Sequence, residues 1–317
     1  MKKWLLKGEK LKIYGERIAA KAQKITLPFF DGMPLYDVAV FFWRSIINGA
    51  ITTRASAIAF SFFIAFFPGI LFLFTLIPYI PIDNFQNELF HIIQDLVPET
   101  TFATIEGTVS DIIMRPRGGL LSFGFAAALI FSTNGLASMM TAFDATIHSI
   151  DRKSWLSQRL TAIFLLIILS VLLTLAVALL TGGQMALSYL QEHQILKDSL
   201  TLHVLNFGRW VVIIMLLFFA YSFLYYMAPA KKTRWRFISA GGTLATVLSI
   251  VALIGFTFYI NNFSRYNTLY GSIGTLLIIL FLMYVMSLIL LIGFELNASI
   301  YQVRSNNEVR SEMKKQD

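Results

Sequence analysis

The stretch "ASAIAFSFFIAFFPGILFLFTLIPYI", residues 55–80, runs for 26 residues without a charge. Coiled as an α-helix it spans about 39 Å at 1.5 Å per residue, more than the roughly 30 Å of a bilayer's hydrocarbon core. Hydrocarbon offers no partner to an open peptide group, so such a stretch must satisfy its backbone internally as a helix. Five further windows of this kind follow, at about Gly119 to Phe143, Leu160 to Ala186, Trp210 to Tyr226, Phe237 to Ile260 and Tyr270 to Glu295. The 317 residues are 56% hydrophobic and only 14% charged, against about 25% charged in soluble domains. The expected fold is all-α: a polytopic membrane protein with six transmembrane helices.

Loop charge orients it. Residues 1–54 carry ten Lys or Arg. Arg152, Lys153 and Arg159 follow the second span, Lys231, Lys232, Arg234 and Arg236 follow the fourth, and Arg304, Arg310, Lys314 and Lys315 follow the sixth. That sets 21 of the 26 basic residues on one side, which the positive-inside rule makes cytoplasmic, with both termini there. The opposite side carries Arg115, Arg117, Lys197, Arg209 and Arg265, and its first loop is acidic. The +8 net charge is thus a topology signal, and no nucleic-acid partner is expected. The basic first 24 residues lead into no apolar core of a signal peptide.

The chain divides into a basic N-terminal segment (1–54), a six-helix membrane domain (55–301) and a charged tail (302–317). Within the first, "PLYDVAVFFWRSIINGAI" puts Val38, Phe41, Phe42 and Ile46 on one helical face, with Asp37, Arg44 and Asn48 on another. Short and charged, it reads as an amphipathic helix in the membrane interface. The outer loop between the first two spans is amphipathic and predicts one or two short helices. "AFDATIHSI" resembles "GFELNASIYQV", relating the ends of the second and sixth spans without making a repeat.

Searches for catalytic patterns return nothing: no G-x-x-x-x-G-K-[ST], no G-x-S-x-G and no H-E-x-x-H. There is no cysteine, and His91, His148, His193 and His203 lack metal-ligand spacing. No cofactor, metal or catalytic residue is expected.

The spans do carry polar residues in register. Arg54, Ser61, Pro68 and Thr75 are seven apart and so share one face. Asn134, Ser138 and Thr141, with Asp144 beside them, mark the second span. Ser239, Thr243 and Thr246 mark the fifth, and Tyr284 and Glu295, with Ser287 nearby, the sixth. These are either packing contacts between helices or the lining of a polar path. Glu295 stands at the C-terminal end of its span, where the helix dipole disfavours it. Arg54 enters the first span at the same depth, which predicts an Arg54–Glu295 pair with Asp144 and Asn297 close by. Ionisable groups in a membrane are functional candidates by default; the alternative is a clamp between first and last helices. On the outer side, "FYINNFSRYNTLYGSIG" gathers Tyr259, Asn261, Asn262, Arg265, Tyr270 and Gly271, either a tight turn or an external site at which Arg265 meets an anionic headgroup.

"YYMAPAKKTRWRFISAGG", "FYINNFSRYNTLYGSIG" and the closing "GFELNA" resemble the YihY/BrkB family of bacterial inner-membrane proteins. Pro229, Trp235, Tyr259, Tyr270, Gly271, Ser272, Gly274, Gly293, Glu295, Asn297 and Ala298 carry the pattern, and "TRASAIAFSFFIAFFPGI" resembles the family's first span, over about residues 40 to 302 in all. "FLMYVM" in the sixth span departs from it, since the family often has Trp there. The resemblance implies a six-helix envelope protein linked to serum resistance or to transport of lipids and envelope precursors. An older family label, a tRNA-processing ribonuclease, needs a metal cluster that this sequence lacks. The leading expectation is a transporter or flippase-like protein of the inner membrane, with membrane lipids as partners and an anionic lipid or envelope precursor as cargo. A non-transporting assembly factor is the alternative, and an enzyme using Asp144 and Glu295 as an acid pair comes third.

Overall fold

The structure, a computed structural model, describes residues 25–26, 29–80, 84–96, 99–146, 154–192, 199–230, 237–262 and 272–316. It is all-helical apart from one isolated bridge between Thr26 and Pro34. The helices are α1 (Leu35–Asn48), α2 (Ile51–Leu76), α3 (Phe85–Leu96), α4 (Glu99–Met114), α5 (Gly118–Thr146), α6 (Trp155–Glu192), α7 (Ser199–Met227), α8 (Ala240–Asn262) and α9 (Ser272–Gln316). Six of them, α2 and α5 to α9, are long and apolar enough to cross a membrane.

Each of these six packs on its neighbour in chain order, and α9 returns to α2, which closes a ring; α9 also touches α5. Small residues allow the tight crossings. A Cβ on Gly124 would lie 3.2 Å from the Phe72 backbone, and one on Gly135 3.0 Å from the Phe62 ring, so glycine lets α5 press against α2. Gly241 and Gly293 do the same where α8 crosses α9: a Cβ on either would run into the carbonyl oxygen of the other.

Burial is uneven along the ring. Ile51, Ala55 and Ile58 at the start of α2, Leu136 to Phe143 late in α5, Ala162 and Leu165 early in α6, Tyr221 to Ala228 ending α7, and Ile289 to Phe294 in α9 form one core. All lie toward the end where α1 sits, hereafter the near end. At the far end α3 and α4 connect α2 to α5, the two short helices expected there, and α4 packs on α2. There α8 is exposed on nearly every side between Val251 and Ile260.

Two boundaries differ from the sequence reading. The helix that carries the sixth span does not stop at Glu295: α9 continues to Gln316. Its 45 residues reach about 68 Å, and Arg304 pairs with Asp31 (3.5 Å) and Glu308, holding the extension beside the N-terminal segment. Arg159, read as a loop residue, lies one turn into α6. Helix α1 forms as expected, with Val38 buried against Ile300 and Val303 of α9 and Phe41 packed beside it.

Candidate functional site

The near end holds the most buried charge among the described residues. Arg54 lies in the first turn of α2, after a break in which Gly49 ends α1 and Ala50 takes a left-handed conformation (φ 46°). Its guanidinium donates through Nη2 to Glu295 Oε1 and through Nη1 to the Ala142 carbonyl at 2.8 Å. Glu295 is 1% exposed and Arg54 12%. The carboxylate on α9 is therefore neutralised by a cation from α2 that also donates to a carbonyl of α5. Two charges taken out of water need this kind of geometry to offset their desolvation.

Beside the pair lies an aromatic knot. Phe143 of α5 and Phe294 of α9 stack with ring centroids 3.9 Å apart and planes 4° apart. Tyr225 of α7 meets both edges, at 5.9 and 6.0 Å, and donates its hydroxyl to the Leu290 carbonyl at 2.8 Å. Tyr221 bonds Ser249 of α8 at 2.6 Å. Rings from α5, α7 and α9 thus fill the middle of the bundle at the depth of the ion pair. The sequence reading missed this knot, yet a signal was present: Phe143–Asp144 and Phe294–Glu295 are the matching dipeptides in "AFDATIHSI" and "GFELNASIYQV", and their rings are the two that stack.

Asn297 works on α9's other side. Its Oδ1 accepts the Gly241 N–H at 2.8 Å and its Nδ2 donates to Ser239 Oγ at 2.9 Å, while Ser239 Oγ accepts the Gly242 N–H at 3.2 Å. The first N–H groups of a helix have no partner of their own; here α9 caps α8 from outside. Asp144 accepts the Ala230 N–H at 3.0 Å, tying α5 to the turn after α7. Asn134 accepts from Arg159 at 2.5 Å, with that guanidinium 5.7 Å above Trp155; it joins α5 to α6.

The hydroxyl stripes turn inward on their own helices. Ser61 donates to the Ala57 carbonyl, Thr75 to Leu71, Thr141 to Ala137, Thr246 to Gly242 and Ser287 to Met283. Pro68 lies inside α2, and Tyr284 is half-buried against the core. Of the expected external cluster, Tyr259 is exposed near the end of α8 and Asn261 and Asn262 end that helix; Arg265, Tyr270 and Gly271 lie outside the described residues. A shallow, open apolar patch lies on α8 at Leu253, Ile254, Thr257 and Phe258. Among the described residues, no three of His, Asp and Glu gather as a metal site would require.

Comparison with known proteins fits these features. The family model of the virulence factor BrkB matches residues 42–317. The putative ribonuclease-like protein YfkH of Bacillus subtilis is 28% identical over 79% of this chain and 90% of its own. A UPF0761 membrane protein of Aliivibrio salmonicida is 27% identical over 82% of each chain, and one of Tolumonas auensis 26% identical over 86% of this chain and 88% of its own. No solved structure matches. With six membrane helices in a closed ring and the family pattern running from α1 to the end of α9, this chain belongs to the BrkB virulence factor family of integral membrane proteins.

Proposed function

We propose that the protein is a transporter or flippase-like protein of the bacterial inner membrane, with both termini in the cytoplasm, that moves an anionic lipid or envelope precursor. The observation that carries this reading is the contrast between the two ends of the ring. The near end is sealed by the Arg54–Glu295 pair and the Phe143, Tyr225 and Phe294 rings, whereas the far half of α8 is exposed on nearly every side and carries an open apolar patch. A ring knit tightly at one end, with one helix left exposed at the other, is compatible with one state of an alternating-access cycle, and an apolar surface suits acyl chains. Charge asymmetry supports the orientation.

A second reading, an assembly factor that moves nothing, draws on the hydroxyl stripes. Ser61, Thr75, Thr141, Thr246 and Ser287 each donate to a carbonyl of their own helix, as packing residues do. Purified protein in liposomes, with dithionite quenching of fluorescent phospholipids and lipid-linked precursors, separates the two. Quenching of inner-leaflet probe faster than in protein-free liposomes supports transport. Identical traces across the panel overturn it.

A further inference from the structure

Helix α1 has two apolar faces. Val38, Phe41 and Ile46 turn into the protein. Tyr36, Trp43 and Ile47 stand on the other face, within about 40° of one another at 100° per residue, and are 37%, 63% and 62% exposed. Exposed Arg44 borders that stripe. Because α1 leads directly into a membrane span, the stripe lies level with the bilayer surface. Trp155 and Leu156 are likewise exposed at the start of α6, on the same end of the ring, and aromatic belts form at span ends.

The helix also lies against both elements that carry the buried ion pair. Its C-terminal turn ends at Gly49, where an added Cβ would lie 3.1 Å from Arg54 Nη2. Its inner face packs on Ile300 and Val303 of α9, five and eight residues beyond Glu295. Between α1 and α2 the chain breaks only at Gly49 and Ala50, so movement of α1 relative to the bilayer is passed to the guanidinium.

We propose that α1 is a membrane-surface lever, engaged by anionic phospholipid headgroups, that sets how firmly Arg54 and Glu295 hold α2 to α9. Charge selects the occupant: apart from the buried Arg54, residues 1–53 carry nine Lys or Arg against four Asp or Glu, and basic segments beside a span are drawn to anionic leaflets. Trp43 and Ile47 supply apolar insertion, and Arg44 the headgroup contact. This holds whatever the protein carries.

The absence of cysteine allows spin labels to be placed singly. Full-length protein with a nitroxide on Ile47→Cys is reconstituted in phosphatidylcholine with and without a third of phosphatidylglycerol. The label is expected about 5–10 Å below the headgroups when anionic lipid is present and nearer water without it. A second protein, labelled at Thr52→Cys on α2 and Val309→Cys on α9, is expected to show one narrow distance with anionic lipid and a broader spread without. Adding Trp43→Ser and Arg44→Gln, both at exposed positions, removes the lipid dependence of both readings. A label depth and distance distribution indifferent to lipid charge overturn the proposal. So does shielding of the Ile47→Cys label by self-association in lipid-free detergent, which assigns the stripe to a second copy of the chain.

Discussion

Arg54 and Glu295, 241 residues apart in sequence, join the first membrane helix to the last through a single buried ion pair. Because Arg54 also holds the Ala142 carbonyl, the pair gathers α2, α5 and α9 at one point beside the stacked rings of Phe143 and Phe294.

Removing one partner leaves the other charged and buried, which costs about 3–5 kcal/mol in comparable sites. Arg54→Met and Glu295→Leu are each expected to lower thermal stability in detergent sharply. The double variant is expected to regain most of the loss, since neither charge is stranded. Melting curves of the two singles and the double check this.

The α8–α9 crossing tolerates no methyl group. At Gly293 an added Cβ would sit 2.6 Å from the Gly241 carbonyl and 2.9 Å from the Ala245 Cβ. Gly293→Ala and Gly241→Ala should each cost about 1–3 kcal/mol by overpacking. Gly255→Ala, where nothing lies within 4 Å, should be neutral or mildly stabilising by the same melting assay.

Asn297→Ala removes the acceptor that caps α8. A lost N-cap costs about 1 kcal/mol. Hydrogen exchange at Gly241 and the following amides should speed up, while exchange in α2 stays unchanged.

At the far end Arg117, which pairs with Asp111 and donates to it, holds that carboxyl below its ordinary value of 3.8, with Arg115 adding to the effect. A carboxyl lowered by folding contributes stability that is complete above its unfolded pKa and fades as pH falls through the folded value. The contact is exposed, so the contribution is small; it is present at neutral pH and lost in acid. Arg117→Gln should raise the Asp111 titration midpoint, read by NMR of labelled aspartate, and lower the melting temperature slightly at neutral pH, with the difference from wild type vanishing in acid.

Much of this was legible in the sequence. The six spans follow from uninterrupted apolar windows, and the Arg54–Glu295 pair from matching depth at the two ends of the membrane domain. An apolar window marks where a span ends, not where its helix ends, and the helix-favouring residues beyond Glu295 carry α9 on to Gln316. Heptad spacing placed Ser61 and Thr75 on one face correctly, but spacing cannot tell a hydroxyl that faces a neighbour from one bonded to its own carbonyl four residues back. Asn297 was expected near the ion pair, but two residues turn a helix through about 200°, so it caps α8 instead. Among 29 phenylalanines, only the paired Phe–acid dipeptides distinguished Phe143 and Phe294. The second apolar face of α1 escaped notice because Tyr36, Trp43 and Ile47 are interleaved with the buried set.

Whether the ion pair is a gate or only a clip is tested most directly by dithionite quenching in liposomes containing the Arg54→Met/Glu295→Leu double variant. It keeps the near end packed while abolishing the charge that opening would separate and re-form. A folded double variant that no longer moves lipid, beside an active wild type, is the predicted result. Lipid movement at the wild-type rate would contradict it and leave the pair a structural clip.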